Sequence, residues 1–146
     1  IVGNGSLRID YENLIKKFDL NSRVKIFEWS QDISEFLNSC SILVCPSRHE
    51  PFGNIVVDGW AHNIPVIVSD TGGPGKMVKH KLNGLKFEKD NVFDLVSKIK
   101  DLQSNKSLKR KIISNGFKTY KKNFSENVIV SKYLSFFRRI KRSCVE

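Results

Sequence analysis

The chain is 146 residues long, 40% hydrophobic and 27% charged with 9 Gly and 4 Pro; that is the size of one domain and excludes collagen-like, low-complexity and wholly disordered classes. No apolar run approaches the ~18 residues of a membrane-spanning helix. The net charge of +10 is uneven, because residues 1–75 hold 6 Lys/Arg against 9 Asp/Glu whereas residues 76–146 hold 19 against 6, so the second half points to an anionic partner or to solvated helical faces.

In chain order, Leu7, Tyr11, Leu14, Ile15 and Phe18 recur on one helical face, and Val24 to Phe27 reads as a strand. Ser30 is placed to cap the next helix, whose buried side carries Ile33, Phe36 and Leu37. The continuous apolar runs 42–45 and 65–68 predict strands buried on both faces, separated by a helix over about 53–62. Leu85 to Phe87 is a shorter strand, and helical stripes follow over 92–102, 108–120 and 128–140. Repeated β-α units imply an α/β fold, a Rossmann-like parallel β-sheet flanked by helices, with a helical C-terminal end and 1–146 as a single domain.

The cysteines Cys40, Cys45 and Cys144 form neither an even disulfide set nor a metal pair, which favours a reducing, cytoplasmic setting without structural zinc. No leader segment is recognisable. The start at Ile1, with Ile1-Val2 running straight into Gly3 like the tail of a strand, reads as a piece of a longer chain.

Ligands of open parallel sheets sit beyond the carboxyl ends of the strands. Gly3-Asn4-Gly5 lacks the third glycine of a dinucleotide fingerprint, where Arg8 stands, and a plain turn explains it as well as ligand contact. The run 46–54 is richer. Glu50 is expected in the crevice beside the N–H groups of Phe52, Gly53 and Asn54, a cluster suited to the hydroxyls of a sugar, with Asp58 in the second helical turn. Helix capping by Glu50 is the alternative. His49 and His62 lack a third partner for a triad, and Gly72 to Gly75 reads as a tight turn.

The string Pro46-Ser-Arg-His-Glu-Pro-Phe-Gly-Asn54, continued through Asp58, Gly72-Gly73, Asn83-Gly84 and Asn123-Phe-Ser-Glu126, resembles family-4 glycosyltransferases with the GT-B fold. The resemblance covers nearly the whole chain and implies the C-terminal, donor-binding half of a retaining, metal-independent hexosyltransferase that uses a nucleotide diphosphate sugar and no cofactor. It implies that Glu50 contacts donor-sugar hydroxyls as the catalytic residue of the site, and that Phe52, Gly53 and Asn54 hold sugar and phosphate. Asp58 then stands where a Glu usually grips the ribose, and Trp29 and Ser30 line the nucleobase, packing being the other role open to Trp29. The acceptor domain, and the first strand with the Arg and Lys that hold the diphosphate, are expected outside this sequence, so the fragment alone is expected to be inactive. Pro51 to Asn54 and Trp60-Ala61 look most like bacterial cell-envelope enzymes, which implies a lipid-linked or lipopolysaccharide acceptor and work at the inner membrane face.

Two positions depart from the family. Asp58 is one methylene short, which loosens its reach to ribose, and Lys76 replaces an acidic residue where a helix N-terminus disfavours a cation. Lys76 meets a phosphate or marks an inactive relative. The rival reading is a non-catalytic basic module for anionic membrane or nucleic acid, built on residues 76–146 with Phe136, Phe137, Arg138, Arg139, Lys141 and Arg142. Neither base, sugar, acceptor nor oligomeric state follows from the sequence.

Overall fold

The computed structural model describes residues 1–143; Cys144 lies outside them. The chain divides into two compact units, residues 1–36 and 37–146.

The smaller unit carries α1 (Arg8–Lys17) and a parallel bridge between Val2 and Phe27. Val24 to Phe27 was expected as a strand, but pairing is confined to this bridge, closed by Gly3 N–H to Phe27 O at 3.0 Å and Phe27 N–H to Ile1 O at 2.8 Å. The expected helix is present as α1, though no α1 side chain is buried. A unit of this size cannot enclose a core. Charge organises it instead: Arg8 donates to Glu12 at 2.9 Å and to Glu28 at 2.5 Å. Helix α2 (Ser34–Asn38) is led not by Ser30 but by Asp32, whose carboxylate accepts the Ser34 N–H at 2.8 Å while Ser30 Oγ donates to Asp32 O. Ionised Asp is the stronger acceptor for an orphan amide.

The larger unit is a parallel sheet in the order β1 (Leu43–Cys45), β2 (Val66–Ser69), β3 (Leu85–Phe87). Leu43 pairs with Val66 and Ile67 with Leu85. Helix α3 (Asn54–Ala61) connects β1 to β2, and α4 (Gly72–Met77) lies between β2 and β3. The sheet is followed by α5 (Val92–Ser104), α6 (Lys106–Asn123) and α7 (Glu126–Ser143). Asn91 caps α5 through Asp94 N–H at 3.0 Å, and Asn105 caps α6 through Leu108 N–H at 2.8 Å.

Strand alternation sorts β2 onto two cores. Val66 and Val68 join Cys45, Val56, Trp60 and Val78 on the α3 side; Ile67 joins Leu85, Phe87, Leu102 and Ile112 on the α5 side. Both faces being covered, β2 is apolar throughout its valines and isoleucine. The stretch 72–75 expected as a bare turn is instead part of α4, and Lys76 falls in its last turn, where a cation is favourable.

Candidate functional site

Three parallel strands end at one edge, and the segments that leave them are tied together there. Ser69 Oγ donates to Ser47 O at 2.5 Å, Gly73 N–H to Glu50 O at 2.8 Å, and Arg48 Nε meets Asp90 Oδ1 at 2.6 Å. The loops after β1, β2 and β3 thus meet through backbone acceptors and one ion pair. Gly72 sits at φ +56, and a Cβ there would strike the Glu50 carbonyl oxygen; a Cβ on Gly73 would strike that of Phe52. Only glycines let the 70–74 backbone lie so close beneath the 50–52 loop. None of the Ser47, Ser69, Arg48 and Asp90 ties was foreseen, because they join residues far apart in sequence.

Glu50 is half-buried in this edge, and its carboxylate makes no hydrogen bond or ion pair with another described residue. It does not cap α3. The N-cap is Gly53, left-handed at φ +98, with no side-chain cap bond, and its carbonyl accepts Val56 N–H at 3.0 Å. The start of α3 therefore keeps first-turn amides that no side chain satisfies, a ready anion site. Pro74 of α4 holds Gly53 in place, 2.8 Å from where a Cβ would stand. Phe52 is 49% exposed, with its ring edge-on to Phe124 at 6.1 Å. Asn54 and Asp58 share a face of α3 at i, i+4, away from buried Val56, Gly59 and Trp60. Burial raises the Asp58 carboxyl above its ordinary value, against a smaller opposing pull from His62, whose Nδ1 lies 2.8 Å from Asp58 O.

Glu50, Phe52, Gly53, Asn54 and Asp58 all belong to the larger unit; Trp29 and Ser30 belong to the smaller one. Trp29 is 68% exposed, so it is not a core residue, and its N–H reaches Asn4 Oδ1 at 3.4 Å. His49 and Lys76 are exposed. A separate hollow of about 680 Å³ opens beside β3, lined by Asp70, His80, Lys86, Glu88, Asp94 and Lys98 among others. Its charges pair internally, Lys86 with Asp70 at 2.8 Å and Lys98 with Asp94 at 2.7 Å, and neither Glu50 nor Asp58 lines it. Among the described residues no group of three or more His, Cys, Asp or Glu is placed to hold a metal ion.

The family model described as Glycosyl transferases group 1 matches residues 1–119. The chain is 30% identical over 139 residues to the lipopolysaccharide core biosynthesis glycosyltransferase LpsD of Rhizobium meliloti, covering 95% of this chain and 40% of that protein. It is 39% identical over 126 residues to the uncharacterized glycosyltransferase MJ1178 of Methanocaldococcus jannaschii, covering 86% and 36%. In structure it resembles Anabaena Alr3699/HepE, solved in complex with UDP, with a TM-score of 0.85 over 94% of this chain and 40% of that one at 22% identity. The chain thus spans about two-fifths of the length of the relatives it matches.

Proposed function

The chain belongs to the group 1 glycosyltransferases, of GT-B type, and on that premise we propose that it is the donor-binding half of a retaining, family-4 hexosyltransferase. The observation that carries this reading is the half-buried, unpartnered carboxylate of Glu50 beside the uncapped start of α3, with Asp58 on the same helix. Glu50 accepts hydrogen bonds from donor-sugar hydroxyls, and the backbone at Phe52, Gly53 and Asn54 meets sugar and diphosphate. Asp58 accepts from the ribose, through water where its shorter side chain falls short. Trp29 and Ser30 line the nucleobase.

In the reaction the bond from the anomeric carbon to the diphosphate oxygen breaks. The acceptor oxygen bonds to that carbon from the same face, and the acceptor proton passes to the departing phosphate. The protein orients the sugar and offsets the charge that grows on the diphosphate through amides and the α3 dipole, with no metal or other cofactor required. The acceptor binds a partner domain, and the name of the LpsD relative supports a cell-envelope or lipopolysaccharide acceptor.

A thermal-shift series with UDP, GDP, ADP and their sugars tests donor binding, since a ligand held only by the folded chain raises its melting temperature. Saturable binding with shallow salt dependence is expected; salt-steep binding to any polyanion favours the basic-module reading instead. In a two-domain enzyme containing this half, Glu50→Gln lowers turnover roughly 100-fold or more at unchanged melting temperature. A change in melting temperature alone refutes the assignment. The 146-residue chain by itself transfers no sugar, and measurable transfer would contradict the two-domain reading.

A further inference from the structure

The carboxylate of Glu50 bonds to no other described residue, so its position is set by the main chain that carries it. That main chain has left the sheet by Ser47. The parallel ladder pairs Leu43 with Val66 and Cys45 with Val68. Continued by two residues, it would give the Ser47 carbonyl the N–H of Thr71. The Thr71 N–H turns back to Ser69 O at 2.8 Å instead, and the Ser69 hydroxyl takes its place on Ser47 O.

Ser69 follows Val66, Ile67 and Val68 on the fully buried strand β2 and is itself 1% exposed. A hydroxyl so deeply buried has to find an acceptor, and the one it finds belongs to the loop that carries Glu50. Two further donors follow at every second residue. Thr71 Oγ1 donates to Arg48 O at 3.4 Å, and Gly73 N–H to Glu50 O at 2.8 Å. The donor segment is held in its turn, for Asp70 N–H reaches Phe87 O of β3 at 2.8 Å. The ion pair of Arg48 with Asp90 ties the same loop, but its side chains are 72% and 49% exposed, where solvent leaves such pairs little weight.

On the reading that Glu50 contacts the donor sugar, we propose that Ser69 is a positioning residue: its hydroxyl, seconded by Thr71 and Gly73, fixes the course of residues 47–50 and so the point at which the Glu50 carboxylate meets the sugar. Ser69 touches no ligand and acts through Glu50 alone. Asp58 sits on α3, which is anchored separately where Trp60 Nε1 donates to Asn83 O at 2.8 Å. Loss of the Ser69 hydroxyl therefore weakens the hold on the sugar and spares the hold on the nucleotide.

Calorimetric titration of the chain with UDP and UDP-glucose, and with GDP and GDP-mannose, gives for each pair the affinity of the sugar nucleotide relative to the bare one. Glu50→Gln and Ser69→Ala are each expected to lower that ratio roughly tenfold, with the bare nucleotide bound as before. Ser69→Thr keeps a hydroxyl and restores the ratio. The double variant falls no lower than Glu50→Gln alone, because the two residues act as one unit. Without ligand, the Gly73 amide exchanges its hydrogen faster in Ser69→Ala while the Ile67 and Val68 amides stay protected, as a local opening requires. Thr71→Val shows the same loss at smaller size and decides the matter where Ser69→Ala does not fold. A ratio lowered by Glu50→Gln but not by Ser69→Ala or Thr71→Val overturns the inference and leaves the donor site standing. Equal weakening of bare and sugar nucleotides by Ser69→Ala, or an effect that adds to that of Glu50→Gln, marks a merely structural hydroxyl and overturns it too. If no sugar nucleotide binds, or Glu50→Gln leaves the ratio unchanged, the donor-site reading itself fails and takes the inference with it.

Discussion

The indole N–H of Trp60 donates to the main-chain oxygen of Asn83 at 2.8 Å, tying α3 to the turn before β3 where both residues are buried. Asn83 Oδ1 in turn accepts Lys79 N–H at 2.7 Å, and Gly116 of α6 lies flat against the indole. The helix that carries Asp58 is thus fixed from behind by one side-chain donor and one glycine.

Trp60→Phe removes that donor and leaves a buried carbonyl oxygen unpaired. The expected loss is about 1–3 kcal/mol in urea unfolding, beyond any packing change. A loss within error would mean that the carbonyl finds another donor, and the tie between α3 and the 79–84 turn would then be dispensable.

Gly73→Ala tests how closely the two site loops must approach. Because a Cβ would strike the Phe52 carbonyl oxygen, the 50–54 loop has to move, at roughly 1–3 kcal/mol of overpacking. Calorimetric titration with the nucleotide that the thermal screen selects is expected to show a larger loss of affinity than the melting temperature alone would suggest. Unchanged affinity would place the ligand away from this loop.

Asp58 is expected to trade stability for binding. Its folded-state pKa is raised, chiefly by burial, so its contribution to stability is full at acid pH and is lost as pH rises through that pKa. Asp58→Asn therefore melts higher than the parent at neutral pH and loses the advantage on acidification. The same variant binds nucleotide more weakly, whereas Asp58→Glu keeps or improves affinity if the ribose role holds. Equal loss of binding in both variants would leave Asp58 a structural residue.

His80 gives the opposite pH response. Partial burial and the neighbouring Lys98, Lys81 and Lys86 hold its pKa below the ordinary value, against a smaller pull from Asp94. Its Nδ1 accepts Lys86 N–H at 3.0 Å, which only the neutral ring can do. Stability from this group is present above the ordinary histidine pKa and is lost as pH falls through the lowered one. Melting curves between roughly pH 8 and 5 are expected to fall less steeply for His80→Asn, which keeps an acceptor without a charge.

Local chemistry determined much of this protein in advance. The apolar runs at β1 and β2, the stripes of α5 and α6, and the eight-residue spacing from Glu50 to Asp58 are all legible because periodicity and spacing are properties of a few neighbouring residues. What the sequence could not decide depends on partners distant along the chain. Val24 to Phe27 has strand-forming residues but pairs only at Phe27, and the apolar side of α1 stays uncovered, since ladders and cores need neighbours that 36 residues do not supply. Whether Glu50 caps a helix or stands free was undecidable from composition; it was settled by Gly53 taking the N-cap and by Gly73 fastening the Glu50 carbonyl. A capping bond is local, but the geometry that forecloses it comes from a loop more than twenty residues away, and only the folded chain brings the two together.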